Sequence, residues 1–210
     1  HIMTGSRLFL VFSVVFFLVM TGCATFKQPP MQVDPGTVLP GTKVTRGGNE
    51  VNLLGSPIAI GMKLPATELV DAMTMQEVDL TEAKGKVLML SIVPSIDTKV
   101  CEAQTHLLGE EGDRISPEIV RITISRDTPF AQKRFAENAK LTDIDYLSDY
   151  KEGAFGYSLG LLMDGPRLLA RSVILVDKKG IVRYIQVVPE VSNLPDMEKA
   201  FDKAQELVQE

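Results

Sequence analysis

The chain has 210 residues, a formal net charge of −5 and 45% hydrophobic residues. That length suits one domain with a sizeable core, and the composition excludes a disordered chain. The mild acidity, with no basic stripe, argues against a nucleic-acid partner, and the two histidines and scattered acids offer no metal-ligand spacing.

At the N-terminus Arg7 precedes an apolar run over 8–20 that only Ser13 interrupts. The run falls short of the ~20 residues that a comfortable membrane span needs. A positive residue, a short apolar core and small residues near a cleavage point describe a secretory signal over 1–22. The boundary Met20-Thr21-Gly22-Cys23 resembles the lipobox of bacterial lipoproteins, with Met20 in place of the usual Leu. The resemblance implies that Cys23 becomes the lipidated N-terminus, anchoring the chain to a bacterial membrane on the periplasmic side. A plain anchor helix or an uncleaved signal is the other reading of the same run. Pro29, Pro30, Pro35 and Pro40, with Gly36 and Gly41, mark 23–42 as a flexible tether.

The domain is expected over 43–210. Strands over 43–46 and 50–54 flank Gly47-Gly48-Asn49, a hairpin signal. Short strands near 68–70 and 77–80 can pair with each other. The nearly unbroken apolar block at 87–93 has the pattern of a strand buried on both faces, and Pro94 stops it. Ser95, Asp97 and Thr98 are capping types, so a helix is predicted over 100–108. A strand follows at 119–125, then a helix over 130–139 with Pro129 at its start. Strands over 169–176 and 181–188 are joined by the turn Asp177-Lys178-Lys179-Gly180. A last helix over 196–208 puts Met197, Ala200, Phe201, Ala204, Leu207 and Val208 on one face. This order predicts an α/β fold: a central mixed sheet, helices on both faces, right-handed crossovers and an added N-terminal hairpin.

Cys101 falls in the first turn of the first of these helices, just beyond a central strand. Unpaired amides and the positive end of the helix dipole favour negative charge there, and the thiolate is the reactive form of cysteine. A solitary cysteine is more often a small buried hydrophobe. The helix-start position, and Thr98 three residues earlier on the same turn, shift the balance toward chemistry.

Pro94, Thr98 and Cys101 match the Pro-x-x-x-Thr-x-x-Cys motif of the peroxiredoxins. The string Pro94-Ser95-Ile96-Asp97-Thr98-Lys99-Val100-Cys101 resembles the thiol peroxidase branch of that family. Asp127-Thr128-Pro129-Phe130-Ala131-Gln132-Lys133-Arg134-Phe135 is similar to its second signature, and Leu168 to Val173 to the strand carrying its active-site Arg. The resemblance implies a thioredoxin-like fold. It also implies Cys101 as peroxidatic nucleophile, Thr98 as hydrogen-bonding partner, Arg171 as cationic clamp and Pro94 as a shield for the pocket. The implied substrate is hydrogen peroxide or an organic hydroperoxide, with no cofactor, and a homodimer is common in the family.

In the family pattern a resolving Cys follows the Arg-Phe pair; here that place is Ala136. A one-Cys cycle and an engineered replacement both fit. The first requires an external thiol, thioredoxin-like or small, to attack the Cys101 sulfenic acid. For thiols in general, lowering the pKa from about 8.5 to about 6 raises the thiolate fraction at neutral pH roughly thirtyfold. Falling nucleophilicity returns about tenfold of that. Preorganised donors, Arg171 and Thr98, must therefore supply the larger effect. An Arg in a strand otherwise faces solvent or a carboxylate.

His106 is read as a packing or surface residue. Gly153-Ala154-Phe155-Gly156 is read as a loop or helix start, because no Lys-Ser/Thr follows it. Glu110, Glu111 and Asp113 are read as a solvated helix end. Two rivals stand beside the peroxidase. Thiol–disulfide exchange needs Cys-x-x-Cys, and Gln104 occupies the second position. A non-turnover peroxide sensor or binding lipoprotein would keep the scaffold without the cycle.

Overall fold

The computed structural model describes residues 31–110 and 114–210. The expected signal over 1–22, Cys23, the tether up to residue 30, and Glu111 and Asp113 lie outside the described residues.

The first strands are β1 (Lys43–Arg46), β2 (Asn49–Leu54), β3 (Glu68–Asp71), β4 (Glu77–Asp79) and β5 (Val87–Ile92). Then come α1 (Lys99–Glu110), β6 (Ile119–Ser125), α2 (Pro129–Ala139), β7 (Ile144–Ser148), α3 (Ala154–Leu159) and β8 (Leu162–Met163). The chain closes with β9 (Ser172–Val176), β10 (Val182–Val187) and α4 (Met197–Val208). The main sheet has the order β10-β9-β5-β6-β7-β3-β4, and a smaller sheet has the order β1-β2-β8. β5, β6 and β7 run parallel, while β9 joins β5, and β3 joins β7, antiparallel.

Every residue of β5 is buried, so its alternation divides two cores rather than core from solvent. Val87 and Met89 pack with Val173, Leu175, Leu108 and the α4 residues Met197, Ala200, Phe201, Ala204 and Leu207. Leu88, Leu90 and Ile92 point the other way, into a core shared with Phe155 and Leu159 of α3 and with Val44, Leu53 and Leu162 of the small sheet. The predicted mixed sheet with helices on both faces is present, and so is the hairpin. Its loop is Gly47-Gly48, with φ of 58° and 78°, the left-handed pair that a two-residue hairpin turn demands.

Three elements escape the apolar pattern. β7 reads Ile-Asp-Tyr-Leu-Ser, and Asp145 breaks its run; pairing on both sides, with β6 and β3, makes it a strand. α3 has six residues between Gly153 and Gly160, both left-handed, too short for a helical period to register. Its first amides are capped from a distance, by the Asp149 carboxylate accepting from Phe155 N and Gly156 N at 3.1 and 2.9 Å. β8 has only two residues, and its partner β2 makes it a strand.

The structure corrects the tether over its described part. Residues 31–42 dock on the domain: Asp34 N donates to Leu194 O and Val38 N to Val187 O, both at 2.9 Å. Gln186 Nε2 donates to the Asp34 and Gly36 carbonyls, and Gly41 N donates to Gly160 O. Proline and glycine set the stiffness of a segment; they do not decide whether its backbone finds partners along a sheet edge.

The hairpin is fastened to the loop that follows β10. Thr45 N donates to Pro189 O, and Val191 N to Thr45 O. The Glu190 carboxylate accepts from Gly47 N, Gly48 N, Thr45 Oγ1 and Ser192. Partial burial raises this carboxyl, but the bonds from Gly48, Thr45, Ser192 and Gly47 outweigh it and bring it from 4.5 to about 2. A lowered folded-state value stabilises the fold above pH ~4.5 and loses that contribution as pH falls toward ~2. Melting temperatures of the wild type and Glu190→Gln should therefore differ most above pH ~5 and converge near pH ~2. A gap that stays constant across that range would show that the carboxylate charge is not what holds the hairpin.

Candidate active site

Pro94 lies just beyond β5 and is buried. The loop beyond it is set by a residue from the other side of the site. Asp127 accepts from Ser95 Oγ at 2.8 Å and from Ile96 N at 2.7 Å, one carboxylate oxygen for each. This fixes the path of 95–98 into α1 and places Cys101 in the first helical turn. Cys101 is fully buried, packed with Val93, Ile96, Ala72 and Tyr146, with Phe135 and Ala136 against the same cluster.

Two donors reach its sulfur. Thr98 Oγ1 lies 2.9 Å from Cys101 Sγ and also 3.2 Å from Ser95 O. A hydroxyl has one proton, so these are alternative donations, and a negative sulfur draws the proton toward itself. Arg171 Nη2 lies 3.3 Å from Sγ.

Arg171 is only 2% exposed. Strand β9 begins at Ser172 rather than at the predicted 169, because Leu169 and Ala170 bond instead to Leu162 and Leu161. Arg171 therefore sits at the joint between the small sheet and β9. Its Nε donates to Val191 O at 2.8 Å and its Nη1 to Gln104 Oε1 at 2.9 Å. Gln104 is itself buried and held by Ser91, to whose Oγ its Nε2 donates at 2.9 Å. No carboxylate pairs with Arg171 among the described residues. A buried cation without a counter-ion is costly, and the group able to carry the opposite charge in contact with it is the sulfur of Cys101.

The structure thus brings Thr98, Cys101 and Arg171 together, while Pro94 is buried in the loop that leads to them. Sequence reasoning missed Gln104, Asp127 and the Val191 carbonyl. Gln104 stands three residues after Cys101 on a buried helix face, and a buried amide there is the signal that could have found it. Asp127→Asn should free the 95–98 loop, slowing the reaction of Cys101 with peroxide about tenfold while costing ~1–3 kcal/mol of stability. Stopped-flow rates and denaturant unfolding, read together, check this. Lost stability with an unchanged rate would make Asp127 purely structural.

His106 and the 153–156 stretch behave as read. His106 Nδ1 lies 3.1 Å from Glu110 Oε1, and its ring packs edge-on to Phe135. The 153–156 stretch is the start of α3, its amides already taken by Asp149. No cluster of metal-ligating side chains occurs among the described residues.

A family model described as Redoxin matches residues 59–201. The thiol peroxidase of Halalkalibacterium halodurans is 40% identical over 161 residues, covering 77% of this chain and 96% of that protein. That of Listeria innocua is 42% identical over 163 residues, covering 78% and 98%. The chain belongs to the thiol peroxidase branch of the peroxiredoxins. A peroxiredoxin-like protein from Aquifex aeolicus superposes with a TM-score of 0.74 at 32% identity, over 79% of this chain and 97% of that one. The fold is accordingly thioredoxin-like, as expected, and this peroxiredoxin is an enzyme of the thiol peroxidase type. Its departure from the pattern is local. Ala136 of α2 packs against the Cys101 cluster, and Cys101 is the free cysteine of the described residues.

Proposed function

We propose that this peroxiredoxin reduces hydrogen peroxide and organic hydroperoxides through a sulfenic acid on Cys101, recycled by an external thiol. The observation that carries the reading is the buried Sγ held between Thr98 Oγ1 and Arg171 Nη2. Sulfur attacks the terminal peroxide oxygen, the O–O bond breaks, and the departing alkoxide or hydroxide takes a proton. Sulfur ends as Cys101–SOH. The donors that touch sulfur in the resting site lie beside the reacting oxygens and stabilise the charge moving onto the leaving one. Pro94, buried just beyond β5, shields this exchange from bulk water.

A sensor would stop after one oxidation. With a thiol supplied, the wild type should consume many equivalents of hydroperoxide per Cys101. Consumption that ends at one equivalent would leave the sensor reading standing.

The same reading takes Cys23 as a lipidation site, placing the domain outside the cytoplasm on a bacterial membrane, and takes the enzyme as a homodimer. Metabolic labelling with a fatty acid, lost in Cys23→Ser, tests the first; sedimentation of the chain tests the second.

A further inference from the structure

Between α1 and α2 runs a groove of about 460 Å³, bordered by Ile96, Asp97, Glu102, His106, Arg134 and Asn138, with Phe135 in its wall. That volume lies in the range of small-molecule sites. Ile96 and Phe135 face two ways in the packing. They line the groove, and they also pack in the cluster that encloses Cys101 and receives Ala136. The groove therefore opens beside the place where the family pattern puts a second thiol and this chain has a methyl group.

Its rim is charged with both signs. The Arg134 side chain makes no ion pair or hydrogen bond among the described residues, and neither do those of Asp97 and Asn138. Glu102 lies across from His106, 3.9 Å from its Nε2, and Glu110 holds the other ring nitrogen. An unpaired guanidinium, an amide and a carboxylate around one cleft complement a small molecule that carries both carboxylate and ammonium groups.

We propose that this groove binds the reductant, and that the reductant is a short cysteine-containing peptide thiol, its carboxylate on Arg134 and its ammonium toward Asp97 and Glu102. The proposal rests on the external-thiol reading above and names its class. The bound thiol attacks the sulfur of Cys101–SOH, forming Cys101–S–S–R and releasing water. A second thiol attacks this disulfide, forming R–S–S–R and returning Cys101–SH. Opening of the first turn of α1 exposes the buried sulfur to the groove, with Ile96 and Phe135 as the side chains that must part.

The test uses the full chain, oxidised with one equivalent of hydroperoxide, and follows reduction of Cys101–SOH by glutathione and by 2-mercaptoethanol, which has neither charge. Glutathione reduction should saturate. Arg134→Gln should lower the ratio of glutathione to 2-mercaptoethanol efficiency about tenfold, and Arg134→Lys should restore much of it. A ratio unchanged in Arg134→Gln, or rapid reduction by a thioredoxin with no saturation by glutathione, overturns the groove assignment. Failure of every thiol to reduce Cys101–SOH overturns the external-thiol reading with it.

Discussion

Arg171→Ala should react with hydroperoxide about 10²–10³ times more slowly than the wild type, the usual cost of losing one preorganised donor to developing charge. Cys101→Ser should not react at all. The size of the first effect follows from where the guanidinium is held. Val191 O and Gln104 Oε1 each bind a separate nitrogen of Arg171, leaving Nη2 aimed at Sγ with no freedom to leave. Arg171→Lys supplies the charge but not the fork, since an ammonium on a flexible stem cannot meet Val191, Gln104 and Sγ in one geometry. Its rate should fall between the two. Alanine also leaves Gln104 Oε1 and Val191 O without their donor, so the variant will lose stability as well. Rates are therefore compared at a temperature where circular dichroism shows both proteins folded. A near-normal rate in folded Arg171→Ala would remove Arg171 from the chemistry.

Which parts of this site could be read from sequence follows from how local they are. Pro94, Thr98 and Cys101 lie on one strand-to-helix turn, so their spacing states their geometry. Arg171 comes from a distant part of the chain, and composition alone would have sent it to solvent; only the family pattern marked it. Gln104, Asp127 and Val191 act through bonds to partners in other elements, and nothing at their own positions announces those partners. Even Gln104 served in the sequence only to exclude a second cysteine. The same distinction runs through the fold. β5 and β6 carry their periodicity within themselves, and their predicted bounds differ from the observed ones by at most a residue. β7 and α3 are made by their neighbours: two flanking strands in one case, and a carboxylate from outside the helix in the other. The docked segment at 31–42 is the opposite failure, a composition that reads as loose and a backbone that is fully engaged at several points.

The packing around Ala136 leads to the second large effect. Under the external-thiol cycle proposed above, Ala136→Cys should replace resolution by added thiol with an intramolecular disulfide formed after a single peroxide turnover. Ala136 packs against the cluster that contains Cys101, so a thiol introduced there has an effective concentration at or above the millimolar level without binding anything. The bond itself requires Cα atoms about 4.4–6.8 Å apart, so its formation reports whether α1 and α2 can bring the two positions that close. On the proposed cycle, a wild-type sulfenic acid that waits for an external thiol is open to a second peroxide, which carries it irreversibly to the sulfinic acid. The variant should therefore tolerate about tenfold more peroxide before half its activity is lost, because intramolecular capture outruns the second oxidation. Intact-mass measurement after one equivalent should show the loss of two hydrogens rather than the gain of one oxygen. If the variant instead gains oxygen as the wild type does, then α2 does not bring this position to the sulfur on the time scale of the cycle. The groove between α1 and α2 would then be too rigid to admit any resolving thiol by that route.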